Sequence, residues 1–166
     1  MNIYLIGMMG SGKSTVGKIL AKKMAIPFID LDHYIEVKNN KSITNIFKEN
    51  GEAHFRELES DALSQIEEST VLVACGGGIV QNKTNREKLL STGKVVLLHT
   101  SIPEIAKRLK DSIDRPLLKE KERIQELTKI WNGRKDYYQE TAHILINTDS
   151  QSPNEISEDI FKQVQS

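Results

Sequence analysis

The chain has 166 residues, 38% of them hydrophobic and 28% charged, which is the balance of an ordinary globular domain able to bury a core without staples. Lys plus Arg (23) equals Asp plus Glu (23), so no net field draws the chain to nucleic acid or a membrane surface, and any anionic ligand must be held by local groups. The single Cys75 excludes an internal disulfide and fits a reducing compartment, and no apolar run approaches the roughly 20 residues that span a bilayer.

The N-terminus enters an apolar, β-rich run at once (2–6), without a basic leader, so no targeting peptide and a cytoplasmic location are expected. Helical spacing follows from Lys13 to Met24, with Val16, Ile19, Leu20 and Met24 on one face. Pro27 ends that helix before a short strand at 27–30. Residues 33–69 read as helix in pieces: 34–38, 42–49 with Ser42 as N-cap, and 52–68. A strand at 71–75 runs into Gly76, Gly77 and Gly78. A helix near 82–91 then leads to a strand at 95–99. Pro103 opens a helix to about Lys110, and a polar stretch covers 111–122. A long helix spans about 122–139, a last strand 143–147, and Pro153 opens a terminal amphipathic helix. Continuous apolar strands alternating with helices predict a parallel sheet covered on both faces. No repeat or linker interrupts the chain, so 1–166 reads as one domain.

Residues 7–14, GMMGSGKS, satisfy G-x-x-x-x-G-K-[ST] between a strand and a helix, the context that this phosphate-binding motif requires. Glycines let backbone N–H groups turn onto phosphate oxygens, and the helix N-terminus adds its dipole. Lys13 would reach the β- and γ-phosphates, and the Ser14 hydroxyl would ligate Mg²⁺. A guanine-specific N-K-x-D segment is missing, since Asn82-Lys83-Thr84-Asn85 lacks the acid, which weakens a GTPase reading.

Asp30 and Asp32, in FIDLDH, close a second strand. In an extended strand they would face the same way, about 6.6 Å apart. The alternative is that the strand stops at Ile29 and both acids are solvated turn or N-cap residues. Ligands in such sheets sit beyond the carboxyl ends of the strands, so both acids are expected in the crevice that holds the phosphates. One near Mg²⁺ and one near an acceptor hydroxyl suits phosphoryl transfer. Arg56, Arg115 and Arg134 are each open to a plain surface role; Arg56 has Glu52 and Glu59 at helical pairing distance. The glycine run after a buried strand allows close approach of backbone to a ligand.

Taken in order, GMMGSGKS, DLD, SITNIFKENGEAHFRELE, GGG with Ile79-Val80, DRPLL, and Arg134 with Tyr138 in R-x-x-x-Y resemble the shikimate kinases over nearly the whole chain. The resemblance implies a P-loop fold like that of the nucleoside monophosphate kinases. This is a three-layer α/β/α domain around a five-stranded parallel sheet, with a substrate-binding segment at about 31–60 and a lid at about 111–122. It implies transfer of the ATP γ-phosphate to the 3-hydroxyl of shikimate by a monomer, with Mg²⁺. Lys13, Asp32 as base and Arg115 would serve the chemistry, and Asp30 would hold Mg²⁺ through water beside Ser14. Shikimate would meet Asp32, Arg56, Arg134, Gly77 and Gly78, with Phe47 and Phe55 lining its apolar side. The nucleotide would meet Gly10, Ser11, Gly12, Lys13, Ser14, Thr15, Arg108, Arg115 and Pro153. Gln151 stands where many members carry an arginine near adenine, and Met8 where many carry Phe or Pro. Competing readings are a related kinase for gluconate or a nucleotide, and an ATP-binding regulatory module without turnover.

Overall fold

The structure is a computed structural model and describes residues 1–67, 69–110 and 120–166. Among these residues five parallel strands form one sheet: β1 (Asn2–Ile6), β2 (Phe28–Asp30), β3 (Leu72–Ala74), β4 (Gly93–His99) and β5 (Ile144–Asn147), in the order β2-β3-β1-β4-β5. Seven α-helices accompany them: α1 (Lys13–Met24), α2 (Leu31–Asn39), α3 (Ile43–Ser64), α4 (Lys83–Thr92), α5 (Ile102–Leu109), α6 (Glu120–Thr141) and α7 (Pro153–Gln165).

Period-2 alternation of the strands sorts the core into two layers. Tyr4, Ile6, Val73, Val95 and Leu97 face a cluster with Leu31, Ile35, Phe55, Leu89, Ile105, Leu127 and Tyr138, drawn from α2 to α6. Ile3, Leu5, Leu72, Val96 and Leu98 face the other way, onto Val16 and Leu20 of α1 and Ile156 and Ile160 of α7. Burial of both faces is why the strands read as unbroken apolar runs. β1 pairs with β3 on one side and β4 on the other, so the chain reverses its direction of travel across the sheet at β1. The crevice of the fold therefore opens beyond the carboxyl end of β1, where the glycine-rich loop lies.

Several expected boundaries move. The expected pieces at 42–49 and 52–68 are found as two helical halves of α3 that meet at a break at Gly51 (φ 82°, ψ 173°), the second ending at Ser64. The backbone there passes through a conformation open essentially to glycine alone, which interrupts the helix and re-aims the face that follows. Ser42 is its N-cap, accepting from the Asn45 amide at 3.2 Å. β4 starts at Gly93, where the chain already pairs with Asn2 of β1. Most of the expected lid, 111–122, lies outside the described residues, and 120–122 form the first residues of α6. Among the described residues no helix is long and apolar enough to cross a membrane.

Candidate active site

The loop after β1 is built on left-handed glycines, with φ 144° at Gly7, 76° at Gly10 and 92° at Gly12. Ser11 is fully buried beneath it, and Ser14 and Thr15 open α1 on its exposed side. Lys13 curls back over this loop: its Nζ donates to the carbonyls of Gly7 and Met8, both at 2.9 Å, and to Ser11 Oγ at 3.4 Å. Burial lowers its pKa to about 8, a shift opposed by the nearby negative charge of Asp32. Arg108, from α5, donates to the Gly10 carbonyl (3.3 Å), to the Thr148 carbonyl after β5 (3.4 Å) and to Glu104 (3.1 Å). It therefore ties the loop to the turn in which Gln151 donates to the Asn147 carbonyl at 2.7 Å and Pro153 starts α7.

The geometry of the acid pair departs from the strand picture. β2 ends at Asp30, which caps α2 by accepting the His33 amide at 3.3 Å and also accepts the Ser14 hydroxyl. Asp32 is not a strand residue but lies in the first turn of α2, and Leu31 between the acids is fully buried. The two carboxylates therefore separate, one toward the Ser14 hydroxyl and the other inward. Asp32 Oδ1 is buried without a hydrogen-bond partner among the described residues. Its pKa is raised by that burial, against the pull of Lys13. A carboxylate held ready to take a proton, and lacking a donor of its own, suits a base facing a hydroxyl.

The glycine run gathers the remaining groups. A Cβ on Gly76 would lie 2.5 Å from Glu59 Oε1 and 2.9 Å from Asp32 Oδ1. On Gly77 it would lie 3.3 Å from the Met9 amide nitrogen and 3.5 Å from an Arg134 guanidinium nitrogen, and on Gly78 it would strike the Arg56 guanidinium at 2.3 Å. Three successive residues thus abut the acid, both arginines and the phosphate loop.

Arg56 makes both pairings of its surface alternative, with Glu59 at 2.9 Å and Glu52 at 3.4 Å. Glu59, however, is only 1% exposed, so this is no solvated pair; burial raises the Glu59 pKa and Arg56 opposes it. Arg56 Nε has no partner among the described residues. Beside it, the rings of Phe47 and Phe55 meet at 4.8 Å, and the Arg56 guanidinium lies over Phe55. A cleft of about 480 Å³ continues from Arg56, Glu59 and Gly78 toward Gln81 and Asn85. Arg115 lies outside the described residues.

Glu59 and Gly76 carry more than the surface pairing with Arg56 and the place in the glycine run that the sequence assigns them. Phe55, Glu59, Ala62 and Leu63 follow helical spacing, and that apolar face carried the signal for a buried acid. In the sequence Tyr138 is only the last residue of the R-x-x-x-Y motif. It is fully buried, and its hydroxyl donates to the Gly77 carbonyl. Burial raises its pKa, which keeps the phenol protonated and able to donate.

The family model for shikimate kinase matches residues 9–165. The chain belongs to the shikimate kinase family. Curated shikimate kinases include one from Sulfurihydrogenibium sp., 42% identical over 98% of this chain and 97% of its own length. Another, from Enterococcus faecalis, is 38% identical over 98% of each. Among solved structures, shikimate kinase from Acinetobacter baumannii in complex with shikimate superposes with a TM-score of 0.92 and 35% identity, covering 99% of this chain and 92% of that one. A gluconokinase from Sinorhizobium meliloti, at 20% identity and a TM-score of 0.58, shares the fold alone. The shikimate kinase architecture, an α/β domain on an all-parallel five-stranded sheet, is the one found here.

Proposed function

We propose that the chain transfers the γ-phosphate of ATP to the 3-hydroxyl of shikimate, giving shikimate 3-phosphate and ADP. The observation that carries this reading is the glycine run, against which Asp32, Arg56 and Arg134 converge beside the phosphate loop. The membership of the family and the shikimate-bound relative support the choice of acceptor.

In this mechanism the loop amides and Lys13 take the phosphates, whose oxygens replace the Gly7 and Met8 carbonyls as partners of the ammonium. Arg56 and Arg134 clamp the shikimate carboxylate, a planar anion suited to planar guanidinium forks. The unpartnered Arg56 Nε and its long, exposed pairing with Glu52 leave donors for that anion, while Glu59 holds the other edge of the guanidinium. Phe47 and Phe55 meet the apolar face of the ring. Asp32 accepts the 3-hydroxyl proton as the oxygen bonds to the γ-phosphorus and the bond from that phosphorus to the bridging oxygen of ADP breaks. The protein supplies orientation and charge. Ser14 and Asp30 fit a magnesium site: both are hard oxygen donors, already in contact at the mouth of the phosphate loop. A magnesium ion bound there would neutralise phosphate charge. Arg115 is proposed to act on the transferring phosphate, and Pro153, Gln151 and Arg108 to border the adenine. The reading includes a single-domain monomer in the cytoplasm, with no nucleic-acid or membrane partner. ADP release measured with shikimate, gluconate and nucleoside monophosphates tests it: release with shikimate is expected, and release with none would favour a regulatory module.

A further inference from the structure

We propose that Tyr138 is a positioning residue for the acceptor site, its hydroxyl setting the Gly77 peptide and the Arg134 guanidinium relative to each other. The inference rests on the reading of Arg134 and the glycine run as acceptor ligands. Tyr138 stands one helical turn after Arg134 on α6, so the two side chains share a face. The hydroxyl donates to the Gly77 carbonyl, and an Arg134 guanidinium nitrogen lies 3.5 Å from where a Cβ on Gly77 would sit. A phenol has one proton to give and lone pairs to receive, so with its donor committed to Gly77 the oxygen can only receive, which suits a guanidinium as neighbour.

The ring has no freedom to release them. It is fully buried, stacks on Trp131 at 5.9 Å with a 20° interplanar angle, and Trp131 meets His99 edge-on at 5.2 Å. Peptide planarity carries the effect one residue further. A trans peptide points its C=O and the next N–H in opposite directions, so anchoring the Gly77 carbonyl aims the Gly78 N–H away from Tyr138. One hydroxyl thereby links α6 to the loop after β3, two elements that are otherwise far apart in the chain. Phenylalanine would fill the same core volume, so packing alone does not account for the oxygen.

The test compares Tyr138→Phe, Arg134→Ala, their double variant and Trp131→Phe by steady-state kinetics. In Tyr138→Phe the shikimate KM is expected to rise about tenfold, the size of one lost hydrogen bond within a charged network. Its kcat should stay within about threefold and its ATP KM within about twofold. The double variant should cost less than the product of the single effects, since both act on one contact. Trp131→Phe, which loosens the stack but keeps the hydroxyl, should leave the shikimate KM within about twofold. An unchanged shikimate KM in Tyr138→Phe, equal losses for ATP and shikimate, or a rise as large in Trp131→Phe would each overturn the proposal. An unchanged shikimate KM in Arg134→Ala would overturn the carboxylate-clamp reading, and the proposal with it. A rise in Arg134→Ala without one in Tyr138→Phe would remove the proposal alone.

Discussion

Gly78→Ala isolates the acceptor clamp from the rest of the fold. The backbone at Gly78 (φ −95°, ψ 5°) is open to alanine, so the substitution adds no backbone strain. The new methyl would lie 2.3 to 2.5 Å from three atoms of the Arg56 guanidinium, where ordinary contacts are about 3.5 to 4 Å. The guanidinium must therefore retreat by about an ångström or more from the position that faces the site. A charge-assisted hydrogen bond is worth about 1.5 to 3 kcal/mol, so the shikimate KM should rise by roughly 10- to 150-fold. The ATP KM should be unaffected, because the three atoms nearest the new methyl all belong to Arg56. The retreat also disturbs the 2.9 Å pairing of Arg56 with buried Glu59, and the melting midpoint should fall by a few degrees, at about 2 to 4 °C per kcal/mol. Initial rates at saturating ATP with shikimate varied, beside a thermal melt, give both numbers. A shikimate KM equal to that of the unmodified chain, in a variant that melts normally, would refute the placement of Arg56 in the acceptor site.

Asp32→Asn should lower kcat by about 10²- to 10⁴-fold while ATP affinity, measured by titration, survives. The raised Asp32 pKa means that the carboxylate takes up its proton at higher pH than usual, so kcat should fall as pH drops through that value, and the variant should lack this limb. Near-normal turnover in Asp32→Asn would remove it from the proton-accepting role. Lys13, with a pKa of about 8 before the phosphates arrive, should regain its charge on binding them. Calorimetric titration of ATP at about pH 8.5 should therefore show net proton uptake that disappears near pH 6.5, read from the dependence on buffer ionisation enthalpy. Gly51→Ala should destabilise by about 1 to 3 kcal/mol through its backbone conformation alone, since a Cβ there meets nothing within 4 Å. A melt unchanged by that substitution would contradict the kink.

Apolar runs disclosed the strands, and the phosphate loop was legible because its glycines, lysine and serine occupy fixed offsets from a strand and a helix. The acids were legible as a pair, and Asp30 takes the N-cap place that one of the two alternatives offered, but the burial of Asp32 was not legible. Leu31 starts a helix at the position where a strand continuation was open, because Asp30 caps it and Leu31 itself fills the core. The break within α3 was legible at Gly51, which divides the two helical pieces in the sequence as it does in the backbone. Glu59 looked like one more charge on a solvated face. Its burial depends on Arg56, on Gly76 and on the packing of α3 under the glycine run, which are contacts between distant parts of the chain that local spacing does not encode. The same holds for Tyr138, whose hydroxyl finds its acceptor 61 residues away.

The most direct test of phosphoryl transfer to shikimate is the identity of the product. Incubation with ATP, Mg²⁺ and shikimate, followed by phosphorus and proton magnetic resonance, should show one new phosphate ester on the 3-hydroxyl carbon, formed in equal amount to ADP. Inorganic phosphate in place of the ester, or an ester on a different hydroxyl, would contradict the account.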